Sequence, residues 1–213
     1  MYANSRPVSS SQSGLHPRLH DIVRRHLTNP ARKPVADFNR RAFDTLLAHS
    51  KDRPLIFDAF CGTGHSSASI SRQYPQHLVV GIDQSAHRLA RCPDLPDNCL
   101  LLQAECESLW QLACEAKLTI DRQYFLYPNP WPKPGHIQRR IHGCAAFPWM
   151  LQLGGSIELR SNWELYVREF AEAMAVAGRT GITQSLSIVK GLTRFEEKYR
   201  QSGHTLWRYT SLP

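Results

Sequence analysis

Short apolar runs alternate with longer amphipathic stretches along most of this chain. The apolar runs are Pro54-Leu-Ile-Phe-Asp58, Leu78-Val-Val-Gly-Ile82, Asn98-Cys-Leu-Leu-Leu-Gln103, residues 119–126, Ser156-Ile-Glu-Leu-Arg160 and residues 181–189. Their length suits strands, and a short last strand is expected near residues 206–209. Between them lie helix patterns: Leu109, Trp110, Leu112 and Ala113, then Leu165, Tyr166, Phe170, Ala173 and Met174, with Asn162 as an expected N-cap. Residues 142–153 read as a helix interrupted by Pro148, and residues 190–198 as a loop. Strand and helix signals in alternation predict an α/β fold with a doubly wound, mostly parallel sheet and helices on both faces. Two helices precede the first strand. One carries Leu15, Leu19, Ile22, Val23 and Leu27; the other carries Phe38, Ala42, Phe43, Leu46 and Leu47. Three regions follow: a disordered lead over 1–15, a basic helical arm over 16–52, and the α/β domain over 53–213.

The turn after the first strand carries the first chemistry. Ala59-Phe60-Cys61-Gly62-Thr63-Gly64 opens a helix of small residues. Strand, glycine-rich turn and helix form a nucleotide-binding opening, because glycine lets the backbone approach a ligand closely. A dinucleotide site needs three spaced glycines for its pyrophosphate. Here only Gly62 and Gly64 remain, and Phe60 stands where the first would be. A single adenosine with a small tail fits better, and S-adenosylmethionine is the usual one on this architecture. Asp58 then sits near the methionine ammonium, Asp83 near the ribose and Glu105 near the adenine amino group.

The second feature is Tyr127-Pro128-Asn129-Pro130-Trp131-Pro132-Lys133-Pro134, followed by Arg139 and Arg140. Four prolines in eight residues forbid helix and remove backbone donors, so the loop is stiff and its carbonyls stay free. It follows a strand and carries an amide, an indole and an ammonium, which suits a base-binding site. The formal net charge of +8 points to an acidic partner, and nucleic-acid phosphate attracts such a surface whatever the base sequence.

The six cysteines form no C-x-x-C pair, so no metal site is expected and reduced thiols in a cytoplasmic protein are the reading. No apolar run is long enough to span a bilayer. The serine-rich first fourteen residues lack the apolar core of a signal peptide.

Three motifs together carry a resemblance. They are Tyr127-Pro-Asn-Pro-Trp-Pro-Lys133 with Arg139-Arg140; Leu159-Arg-Ser-Asn-Trp-Glu-Leu-Tyr166; and Thr193-Arg-Phe-Glu196 with Gly203-His204 and Trp207. The chain resembles the bacterial tRNA (guanine-N7)-methyltransferase family, from residue 54 to 207. That resemblance implies a Rossmann-like class I methyltransferase domain, S-adenosylmethionine as cofactor, tRNA as partner, and a monomer or homodimer. It places Asp58, Asp83, Glu105 and Asn129 at the cofactor. It gives Lys133, Asn162 and the segment Thr193, Arg194, Phe195 and Glu196 to the tRNA guanosine or the bracing of its pocket. Arg139 and Arg140 are expected on phosphate. The chain departs from the family at Asn129 and Asn162, where aspartate is usual.

Guanine N7 has a free in-plane lone pair and needs no deprotonation, so catalysis is positioning and exclusion of water. An aspartate at 129 would accept from guanine N1 and N2 and offset charge developing on the base. An asparagine keeps one acceptor and loses the charge, at about 1–2 kcal/mol. Two further readings take Asn129 at face value: a methyltransferase acting on a nucleic-acid amino group, and an RNA-binding relative that holds cofactor without turning it over.

Overall fold

The computed structural model describes residues 4–50 and 53–211. Seven strands lie among the described residues. By internal contacts the chain divides into two compact units, which cut across the boundaries expected at 15 and 52.

One unit comprises the described parts of Arg32–Leu126 together with Trp149–Ser156. It begins with helix α2, Asp37–Ser50. Strand β1 is Leu55–Ala59, followed by helix α3, His65–Gln73. Strand β2 is Leu78–Asp83 and the one-turn helix α4 is Ala86–Leu89. Strand β3 is Cys99–Gln103, helix α5 is Cys106–Glu115 and strand β4 is Arg122–Leu126. Helix α6, Phe147–Gln152, contributes its residues from Trp149 onward to this unit. Parallel pairing joins β1 to β2, β1 to β4 and β2 to β3. Strands β1 and β2 are buried along their whole length, which explains why they read as continuous apolar runs. In α2, Asn39, Ala42, Phe43 and Leu46 form the buried stripe, and Phe38 and Leu47 are exposed.

The other unit comprises the described parts of Met1–Ala31, Tyr127–Pro148 and Ile157–Pro213. Helix α1, Leu19–Thr28, packs on α7, Glu164–Val176, and buries Leu19, Ile22 and Val23. Strand β5 is Ser156–Ser161, β6 is Gly181–Leu186 and β7 is Leu206–Ser211. Strand β7 runs antiparallel to both β5 and β6.

Local expectations are corrected at several points. Residues 190–198 are not a loop: helix α8 spans Arg194–Gln201, and Thr193 caps it by accepting from the Glu196 amide at 2.9 Å. Its apolar pattern is short and its signal is the capping pair Thr193 and Glu196. Asn162 does not cap α7, which starts one residue later, after Trp163. The proline loop runs into a 3-10 turn, Pro134–Arg139, because proline is tolerated at a first helical position where no donor is needed. Pro148 likewise lies in the first turn of α6 rather than interrupting a longer helix. Residues 4–15, expected without structure, adopt no helix or strand but are tied down by hydrogen bonds at Ser10 and Gln12.

Candidate active site

The acids expected at the strand ends occupy successive tips of the parallel strands. Asp58 lies near the carboxyl end of β1, Asp83 ends β2, and Glu105 caps α5 just beyond β3. Asp58 is fully buried. Its Oδ2 accepts from the hydroxyls of Ser66 and Ser67, both at 2.6 Å. Its Oδ1 is buried with no hydrogen-bond partner. Burial raises the carboxyl to about 6 against the opposing pull of the two serines. An isolated buried acceptor is costly, so this oxygen is poised for a donor that arrives with a ligand.

Asp83 is used by the protein itself. Its Oδ2 accepts from the Gly62 amide at 2.9 Å, and its Oδ1 from the Ser85 amide and Arg88, both at 2.8 Å. A carboxylate has about four lone-pair sites, so one remains on Oδ2. Arg88 is well exposed.

The turn itself is built from positive φ. Phe60, Gly62 and Gly64 have φ of 62°, 62° and 74°. A Cβ on Gly62 would meet nothing within 4 Å, so the space above it is open to a ligand. A Cβ on Gly64 would lie 2.6 Å from a methyl of Leu101, which would have to shift, and the φ of 74° favours glycine whatever the space. The Phe60 ring packs edge-on against the buried Trp110, with centroids 6.1 Å apart. A non-glycine residue at positive φ stores strain of the kind that clusters at functional turns.

Glu105 is held from α2. The Asn39 Nδ2 donates to Glu105 Oε2 at 3.1 Å, and the Glu105 amide donates to Asn39 Oδ1 at 2.9 Å. Asn39 is fully buried. Sequence reasoning passed over it, although a single amide in the apolar stripe Asn39, Ala42, Phe43, Leu46 was the available signal.

The proline loop belongs to the other unit. Tyr127 and Trp131 both have positive φ, 56° and 45°. Asn129 is exposed, and its Oδ1 accepts from the Trp131 amide at 3.3 Å, which turns its Nδ2 donors outward. Lys133 and Arg139 are exposed, and the Arg139 guanidinium lies over the Trp131 ring at 4.8 Å.

Arg140 differs from its neighbour. It is fully buried and its donors are spent on Trp131, Glu169 and Gln12, so it braces the loop rather than meeting phosphate, which corrects the expectation for this residue. Its Nε and Nη2 donate to the Trp131 carbonyl at 3.2 and 3.1 Å, and its Nη1 donates to Glu169 of α7. Glu169 also accepts from Gln12 at 2.6 Å and from the His16 amide at 2.8 Å, and lies 3.2 Å from His142 Nε2. Burial alone would raise the Glu169 carboxyl. The hydrogen bond and charge of His142, then the charge of Arg140, overcome that and hold it down to about 2. His142 is fully buried and is not a phosphate contact either.

The later motifs brace this unit. Glu196 is fully buried, pairs with Arg160 at 2.9 Å and accepts from the Tyr127 hydroxyl at 2.9 Å. Burial and then Glu196 push the Tyr127 phenol up, so it stays a donor. Asn162 turns to His204, with Nδ2 to Nδ1 at 3.0 Å. Thr193 is the α8 cap, and Arg194 and Phe195 lie exposed on that helix.

A family model described as "Putative methyltransferase" matches residues 52–209. The chain belongs to this family. It is 28% identical over 180 residues to a tRNA (guanine-N(7)-)-methyltransferase of Stutzerimonas stutzeri (strain A1501), covering 78% of this chain and 75% of that one. It is 25% identical over 215 residues to the protein of the same name from Pectobacterium atrosepticum, covering 89% of each. The crystal structure of the 16S rRNA methyltransferase KamB aligns with a TM-score of 0.57 at 20% identity, covering 85% of this chain and 96% of that one. That likeness concerns the fold.

For a member of a methyltransferase family, the β1 turn is well furnished. The unpartnered Asp58 oxygen suits an ammonium group, and the open face of Gly62 leaves room for a ligand against the backbone. Among the described residues no group of three or more His, Cys, Asp or Glu is placed to hold a metal. No described helix is long and apolar enough to cross a membrane.

Proposed function

We propose that this methyltransferase transfers the methyl group of S-adenosylmethionine to N7 of a guanosine in tRNA, in the cytoplasm. The single observation that carries the cofactor is the buried, unpartnered Oδ1 of Asp58 beside a glycine turn. The choice of acceptor is supported by the names of the relatives. When bound, the cofactor supplies an electrophilic sulfonium methyl. Asp58 receives the ammonium, Asp83 keeps one lone pair for the ribose, and Glu105, held by Asn39, meets the adenine amino group. On the other unit, Lys133 and Arg139 draw in the RNA backbone and Asn129 offers an outward donor to the base, where guanine O6 can accept it. Arg140, Asn162, Thr193 and Glu196 brace rather than bind. No proton has to move, so the protein's task is to hold, orient and keep water away.

The amino-group reading needs an acceptor at Asn129 for the exocyclic NH2. One of the two lone pairs of its oxygen is taken by the Trp131 amide, which leaves a single acceptor site for that reading. The test is chain scission: tRNA treated with the protein and donor becomes cleavable by borohydride and aniline if N7 carries the methyl group. Methylated tRNA that resists cleavage would contradict the assignment.

A further inference from the structure

We propose that Ser66 and Ser67 are positioning residues for cofactor binding: together they decide which oxygen of Asp58 meets the cofactor ammonium and hold that carboxyl ready as an anion. This rests on the reading of S-adenosylmethionine as the cofactor and of Asp58 as the acid that receives its ammonium. Both serines are buried in the first turn of α3. Both hydroxyls donate to the same oxygen, Asp58 Oδ2, at 2.6 Å. A carboxylate oxygen has two lone-pair sites, so the serines fill Oδ2. The other oxygen, Oδ1, is buried and has no hydrogen-bond partner. A proton or an ammonium is therefore directed to Oδ1. Gly81, the register partner of Asp58 on β2, leaves the space that Ser67 fills, since a Cβ there would lie 2.4 Å from the Ser67 Oγ.

The groups around Asp58 show what the two hydroxyls work against. Burial and the Asp83 carboxylate of β2 both oppose ionisation of Asp58, and the serines favour it. The thiols of Cys61 in the turn, Cys99 on β3 and Cys106 on α5 face the same carboxyl, and burial keeps all three neutral. Tyr124, the register partner of Asp58 on β4, turns its hydroxyl to Tyr74 at 3.3 Å. His65, beside the serines on α3, meets Thr63 at 3.0 Å. A hydrogen bond donated to a carboxylate stabilises its charged form, so the serines keep Asp58 able to receive a cation that comes with the ligand.

The experiment measures the affinity of S-adenosylmethionine by calorimetry between about pH 5 and 8 for the wild type, Asp58→Asn, Ser66→Ala, Ser67→Ala and Ser71→Ala. Ser71 is buried on the same helix but donates to the Ala68 carbonyl, so its variant reports the loss of a buried hydroxyl alone. Ser66→Ala and Ser67→Ala are each expected to move the rise in affinity up by about one pH unit, binding about five-fold more weakly than the wild type near pH 6 and equally near pH 8. Ser71→Ala keeps the wild-type profile. Ser66→Cys and Ser67→Cys keep the side-chain shape with a weaker donor, move the rise in the same direction, and serve where an alanine variant does not fold. Serine variants whose rise stays at the wild-type pH, or that bind more weakly by the same factor at every pH, would overturn the positioning role alone. A wild-type profile identical to that of Asp58→Asn would overturn the assignment of Asp58 to the ammonium itself.

Discussion

Arg140 donates two hydrogen bonds to the carbonyl oxygen of Trp131, at 3.2 and 3.1 Å. Trp131 has positive φ, and its carbonyl is one of those that the proline-rich loop leaves without a backbone partner. The buried guanidinium, itself held by Glu169, therefore fixes the shape of the loop that carries Asn129 and Lys133. Arg139, one residue earlier, faces outward.

The two arginines should separate cleanly on mutation. Arg140→Ala leaves Glu169 buried without its cationic partner, and is expected to cost about 3–5 kcal/mol of stability. Arg139→Ala is expected to change stability by less than about 0.5 kcal/mol and to lower the salt slope of tRNA binding by about one. Thermal melts and salt titrations check both. A destabilised Arg139 variant beside an unaffected Arg140 variant would reverse the assignment.

Asp58 sets a pH dependence. Its carboxyl sits at about 6 in the fold, against about 3.9 in an unfolded chain. The raised value favours the neutral form, so its contribution to stability is full below about pH 4 and lost as pH rises through 6. An ammonium ligand needs the ionised form. Cofactor affinity by calorimetry should therefore rise about ten-fold between pH 5 and 7, and Asp58→Asn should flatten that rise. An unchanged pH profile in the asparagine variant would place the ammonium elsewhere.

Asn39 is expected to act on the cofactor from α2. Asn39→Ala removes both ties to Glu105 and leaves buried polar surface, at a stability cost of about 1–3 kcal/mol. Cofactor affinity should fall by more than in Phe38→Ala, an exposed neighbour on the same helix. Equal affinities in the two variants would show that Glu105 needs no such support.

Asn129→Asp replaces an outward donor with a charged acceptor. With the amide donating to guanine O6, the substitution removes that donor and sets a carboxylate against the carbonyl, so methyl transfer should fall about ten-fold. A rise in rate would show that guanine N1 and N2 face this residue instead.

The parallel strands and the glycine turn were legible because their signals are local: a run of Val, Leu and Ile, then glycines next to an acid. The difference between Arg139 and Arg140 was not legible. The two are identical in sequence, and the acid that separates them, Glu169, lies 29 residues away on α7. A trace existed in the helix pattern, where Glu169 interrupts the buried stripe of Tyr166, Val167 and Phe170. The division of labour at Glu196 was hidden for the same reason, since its partners Tyr127 and Arg160 come from distant segments. Helix α8 was missed because it is almost wholly polar, so its capping pair was the one signal it offered.

The most direct measurement is the mass and identity of the nucleoside formed when the purified protein meets labelled S-adenosylmethionine and unmodified tRNA. The account predicts N7-methylguanosine from the wild type and none from Asp58→Ala. An amino-methylated nucleoside, or full activity in the Asp58 variant, would contradict it.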